Sequence, residues 1–264
     1  MRDKSKSTYM ADEKSPERNS HRHFATKQLI SLEMEKNMEY KSLLETTQNT
    51  RDLGGYETCY GRKTKSFSVL RSDRQGYASD RDKKFLVNHD ITTVIDMRTE
   101  EDVKKKPSSL TNVKGMTYYN FPVYEGSKVP NSVEEVPFSF LKIAEEPNMK
   151  AIFECIANAP QGVIFNCSAG KDRSGVVSAI LLLFAGAKDE DIIENYVVTK
   201  YYIKQRLEYI KQNSDIDMAI VTPNKYFMEM FLKMFREKYG DVSNYFQSIG
   251  MDRECMDRLK EKFV

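Results

Sequence analysis

The stretch Gly162–Gly175, GVIFNCSAGKDRSG, restricts the possible folds more than any other part of the chain. Its first residues read as a strand buried on both faces, ending in a cysteine. Small or charged residues follow, and Val176 to Phe184 is then apolar on every side, so a helix there must be buried. A buried strand leading into a buried helix is the unit of a layered α/β fold. Two other stretches fit that reading: ITTVIDM (Ile91–Met97) is a second central strand and GMTYYNFPV (Gly115–Val123) a third. Arg51 to Asp73 reads as a β-hairpin punctuated by Gly54, Gly55 and Gly61. Helices are predicted over Tyr77–Asn88, Phe138–Ala157 and Asp189–Gln212, then from Thr222-Pro223 to Gly240, with two short ones at the end. The expected architecture is α/β: a central, mostly parallel sheet flanked by helices, with a helical C-terminal portion. Residues 1–25 read as a mobile polar tail, Leu29–Leu44 as a helix laid on the body, and 26–264 as a single domain.

Charge and cysteine content exclude several classes of function. A net charge of +2, with 30% charged residues, marks no nucleic-acid surface. No run approaches the roughly 20 apolar residues of a membrane span, so no integral membrane segment is expected. The tail has no apolar core of the kind a secretory signal carries. Cys59, Cys155, Cys167 and Cys255 are too scattered for a disulfide framework or a zinc site. They read as reduced thiols of a cytoplasmic protein. With three histidines, two of them in the tail, neither a metal nor an organic cofactor is expected.

Cys167 differs from the other three in what surrounds it. A loop from strand to buried helix turns several N–H groups toward one point at the positive end of the helix, which suits a tetrahedral anion. The same dipoles favour a thiolate, and Arg173 supplies a planar fork for two phosphoryl oxygens. Ser168, Ala169, Gly170 and Gly175 are small enough for the backbone to wrap the anion. Two competing readings fail. An inert buried thiol leaves the polar loop unexplained, and an ATP-binding Walker loop needs glycine where Phe165 stands and Ser or Thr where Asp172 stands.

Cys167, five residues, Arg173 and Ser174 together resemble the signature loop of cysteine-dependent protein tyrosine phosphatases. The fuller NCSAGKDRSG is similar to a bacterial and fungal branch of atypical tyrosine and dual-specificity phosphatases. NTRDLGGY (Asn49–Tyr56), VIDMRTEED (Val94–Asp102) and the C-terminal EKYGDVSNYFQSIGMDRECMDRLKEKF extend the resemblance over about residues 46–263. One departure is Asn166, where the family usually carries His; its loss removes a contact that supports the thiolate.

The resemblance implies Cys167 as nucleophile and Ser168, Ala169, Gly170, Lys171, Asp172 and Arg173 as the phosphate-binding loop. It implies Ser174 as the group that steadies the departing thiolate. The usual upstream aspartate is missing from NFPVYEGSKVPNSVEE; the resemblance points instead to the loop's own Asp172 as general acid, with Glu125 in reserve. Arg51 and Asp52, with Asp96 and Arg98, are supporting residues held in structural hydrogen bonds. The Tyr-rich segment Asn195–Ile210 has the spacing of core packing. The function implied is hydrolysis of phosphotyrosine, with phosphoserine and phosphothreonine as further substrates. The alternatives are a phosphoinositide phosphatase, which Lys171 permits, a catalytically silent phosphate-binding module, and a rhodanese-like sulfurtransferase.

Overall fold

The computed structural model describes residues 40–264. The N-terminal tail and most of the helix expected at Leu29–Leu44 lie outside the described residues. The strands are β1 (Arg51–Asp52), β2 (Val69–Ser72), β3 (Ile91–Asp96), β4 (Thr117–Asn120) and β5 (Gly162–Asn166). They form one sheet in the order β1-β2-β5-β3-β4, in which only the β1–β2 pair is antiparallel. The helices in chain order are α1 (Asp80–Asn88), α2 (Glu100–Lys105), α3 (Glu135–Ala144), α4 (Met149–Asn158), α5 (Asp172–Phe184) and α6 (Asp189–Val197). They continue with α7 (Thr199–Tyr202), α8 (Lys204–Asn213), α9 (Met218–Val221), α10 (Lys225–Tyr239), α11 (Val242–Ser248) and α12 (Arg253–Phe263). The fold is α/β, with a mostly parallel sheet between helical layers, as the strand pattern implies.

Strand register sorts the core into two faces. Leu70, Ile164 and Val94 are aligned across β2, β5 and β3. They belong to the smaller apolar cluster, to which α1 contributes Leu86. One residue further along, Arg71, Phe165 and Ile95 are aligned. Phe165 and Ile95 face the larger cluster built on α3, α4, α5 and α10. Alternation of side chains along a strand makes this division unavoidable. It also aims Arg71, a charged residue in an apolar strand, into the layer that holds α5.

Three local expectations are corrected. The predicted hairpin is an antiparallel pair, Arg51 opposite Arg71, but residues 53–68 join it as an irregular loop rather than a tight turn. Asp52 organises that loop by accepting from Gly54 N and Phe67 N, each at 2.9 Å. A side chain at Gly54 would meet Ser66 Cα at 2.4 Å, so the crossing needs glycine. The helix expected over Phe138–Ala157 is two, α3 and α4. Pro147 has no N–H to donate and disfavours helical geometry in Glu146. The helix expected over Asp189–Gln212 is three, α6 to α8, through a segment rich in β-branched and aromatic residues of weaker helix propensity.

The C-terminal ends of β2, β3, β4 and β5 open on one side of the sheet. Asp96, at the end of β3, is fully buried there and forms an ion pair with Arg98 at 2.6 Å. It also accepts from Tyr118 Oη at 2.9 Å and Asn166 Nδ2 at 3.1 Å. Asp96→Ala would leave the Arg98 charge buried and unpaired. We expect it to lower the unfolding free energy by about 3–5 kcal/mol, read from urea denaturation; an unchanged midpoint would show that the pair contributes nothing.

Candidate active site

β5 delivers Cys167 to this edge, and the loop Ser168–Lys171 carries the chain into α5. Loop shape is set from outside. Asn49 Nδ2 donates to the carbonyls of Ala169 (2.9 Å) and Gly170 (3.0 Å). Arg71 Nη2 donates to Gly170 O at 2.7 Å and Lys171 O at 3.4 Å. In a planar trans peptide the C=O and the following N–H point in opposite directions. Drawing these three carbonyls outward therefore turns the N–H groups of Gly170, Lys171 and Asp172 toward the space above Cys167. Gly170 has φ +64°, and a Cβ there would lie 2.7 Å from the Ser72 backbone. No other residue fits against β2.

The sulfur lies on the floor of a cavity of about 440 Å³. Burial pushes the Cys167 thiol pKa up, but the Arg173 guanidinium and the Ser174 hydroxyl and amide more than offset it, so the net shift is downward. The Ser174 hydroxyl also lies 3.4 Å from Ser72 O. One proton serves one acceptor at a time, and that long contact leaves it free for the sulfur when the sulfur is charged. Arg173 is clamped by the carbonyls of Met97 and Val123, both at 3.1 Å, and reaches Ser168 Oγ at 3.3 Å. Its buried Nε has no protein partner.

Cys167, Ser168, Ala169, Lys171, Asp172 and Arg173 all line the cavity. Gly170 and Ser174 are not among the lining residues. Lys171 Nζ donates to Val221 O (2.8 Å) and lies 3.4 Å from Asp172 Oδ2, which ties α9 to the cavity wall. Glu125 accepts from Ser139 Oγ at 2.5 Å and is not among the lining residues. Arg98 contributes to the wall while bound to Asp96. Arg51 lies behind the loop, donating to Thr199 Oγ1 (3.0 Å) with its guanidinium over the Tyr202 ring; burial lowers its pKa to about 10. Asn166 donates to Asp96, so support for the thiolate comes from Arg173 and Ser174.

Sequence reasoning assigned no role to Asn49 or Arg71. The signal for Arg71 was a charge inside the apolar strand VLRS; for Asn49 it was its place in the signature NTRDLGGY. Also unanticipated are five basic residues in the lining, Arg74, Lys105, Lys106, Lys128 and Arg206, beside apolar ones that include Ile203, Leu207, Ile210 and Ile220.

A model of the tyrosine phosphatase family matches residues 42–264, and the chain belongs to that family. It is accordingly a phosphoric monoester hydrolase. A tyrosine-protein phosphatase of Nostoc commune is 24% identical over 215 residues, 73% of each chain. A relative in Cupriavidus necator is 26% identical over 226 residues, 76% of this chain and 81% of its own. Among solved structures, P. aeruginosa TpbA is similar over 70% of this chain and 88% of its own at 12% identity, with a TM-score of 0.37. Among the described residues no helix is long and apolar enough to cross a membrane.

Because the shift of Cys167 is downward, iodoacetamide should alkylate it with a pH midpoint below the ordinary thiol value of about 8.5. Ser174→Ala should move that midpoint upward. A midpoint at or above the ordinary value in the unaltered chain would contradict the site as described.

Proposed function

We propose that the protein hydrolyses phosphotyrosine in protein substrates through a phosphocysteine intermediate, and that phosphoserine and phosphothreonine follow the same route. The observation that supports this best is a buried sulfur with a depressed pKa, under turned-in loop amides and a clamped Arg173. The thiolate of Cys167 attacks phosphorus as the P–O bond to the substrate breaks. Arg173 and the amides hold the equatorial oxygens and the charge that grows on them. Asp172 gives its proton to the leaving oxygen. Water then attacks the phosphocysteine, its proton passes to Asp172, and the S–P bond breaks with Ser174 steadying the thiolate. Asp172 is favoured over Glu125 because it lines the cavity and Glu125 does not. The signatures NTRDLGGY, VIDMRTEED and NCSAGKDRSG support a reading of the chain as a member of the bacterial and fungal atypical branch, acting as a single domain over 26–264.

A second reading has its own support. The cavity is lined by five basic residues, Arg74, Lys105, Lys106, Lys128 and Arg206, together with apolar residues that include Ile203, Leu207, Ile210 and Ile220. That combination accommodates a phosphoinositide, whose headgroup carries several phosphates on an apolar body. A catalytically silent module is disfavoured, since binding alone requires neither the sulfur nor its activation.

Phosphotyrosine peptide, phosphoserine peptide and inositol phospholipid should be assayed in parallel, with EDTA present. Activity should survive EDTA and vanish in Cys167→Ser. Asp172→Asn should lose about 10²–10⁴-fold with alkyl phosphates and far less with nitrophenyl phosphate, whose leaving group needs no proton. Equal losses on both would remove Asp172 from the acid role.

A further inference from the structure

Among the buried oxygens near the catalytic loop that have no hydrogen-bond partner are Asp172 Oδ1 and Tyr196 Oη. Such groups are uncommon because each forfeits its hydration. Tyr196, on α6, is 1% exposed, and its ring is stacked edge-on against Phe140 of the cavity wall. The ring edge also lies against the first turn of α5: a Cβ at Gly175 would stand 3.1 Å from Tyr196 Cδ2. Asp172 opens that same turn, three residues earlier. The phenol and the carboxyl interact electrostatically.

The geometry points to Tyr196 as a positioning residue for Asp172: its hydroxyl is the hydrogen-bond donor that receives Oδ1 when the carboxyl gives up its proton. The inference rests on Asp172 being the general acid. In the first step the S–P bond forms, the P–O bond breaks, and the Asp172 proton moves to the leaving oxygen. This leaves a carboxylate in a partly buried place. Lys171 Nζ, 3.4 Å from Oδ2, serves one oxygen; Tyr196 serves the other. In the second step water returns a proton to the carboxylate and the hydroxyl is released. Burial holds the phenol in its protonated form, so it can donate and cannot itself act as an acid or base near neutral pH.

The other charged groups around Asp172 are accounted for. Lys171 and Arg173 flank it in sequence, and Cys167 faces it from β5. From other elements, Arg206 of α8, Lys128 of the 126–130 segment, Arg74 after β2, Arg98 after β3, Asp102 and Lys105 of α2 and Lys106 after it share the cavity, and Arg71 of β2 interacts with Tyr196. Tyr196→Phe changes none of them and removes only a hydroxyl that has no other partner.

The test is the pH–rate profile of Tyr196→Phe, measured alone and in the Asp172→Asn background. Loss of the donor should move the basic limb to higher pH by about half to one unit. It should lower kcat on alkyl phosphates about three- to tenfold, with KM and the thermal midpoint unchanged. Both effects should be absent when Asp172 is already Asn. An unmoved basic limb, or an equal loss that persists in Asp172→Asn, would overturn the role of Tyr196. Asp172→Asn alone reads the other question: equal losses on alkyl and nitrophenyl phosphates would overturn the acid assignment, and the Tyr196 inference with it.

Discussion

The site depends on the outward tethering of three loop carbonyls by Arg71 and Asn49. Peptide planarity converts that tether into an inward set of donors, so a contact outside the cavity determines what the cavity can hold. Arg71 is fully buried, and its acceptors are the neutral oxygens of Asn195, Gly170 and Lys171. Its charge is therefore not cancelled by contact with a carboxylate, and it interacts with Cys167 through the loop. The depressed thiol belongs to Arg173 and Ser174 around the sulfur and not to the cysteine alone.

The parallel sheet makes the arrangement possible. Ser72, Asn166 and Asp96 are aligned where β2, β5 and β3 end, which brings three chain segments to one edge in a fixed order. From there Met97 O holds Arg173, and Asp96 gathers Arg98, Tyr118 and Asn166. The interruption at Pro147 contributes too. It frees Glu146 to accept from Glu125 N at 2.6 Å and Asn148 to donate to Pro122 O at 2.8 Å. Both contacts brace the segment whose Val123 carbonyl is the second clamp on Arg173.

What was legible in the sequence was local. The loop could be read because its residues are contiguous: Cys167, Ser168, Ala169, Lys171, Asp172 and Arg173 line one cavity where the chain delivers them. The strands could be read because burial on both faces leaves a continuous apolar run. Asn49 and Arg71 could not be assigned, since their acceptors lie about a hundred residues away and only the β2–β5 pairing brings them together. The break at Pro147 was visible as a residue but was outweighed by apolar spacing that continues on either side. Tyr196 belonged to a stretch whose spacing is that of core packing; its ring obeys that reading, and only the unpartnered hydroxyl departs from it.

Composition also hid the field at the site. A net charge of +2 over 264 residues predicts no attraction for anions, yet the cavity gathers Arg74, Lys105, Lys106, Lys128, Lys171 and Arg206 against Asp102 and Asp172. The compensating carboxylates are spent elsewhere, many on exposed pairs such as Lys204–Glu208, Lys225–Glu229 and Lys233–Glu237 one helical turn apart. Such pairs contribute little to stability, typically below about 1 kcal/mol, but they neutralise the surface away from the site. A concave region with low-dielectric walls and an excess of one sign then concentrates potential where the loop amides already face. Distribution, not total, sets the field a phosphorylated group meets on entering.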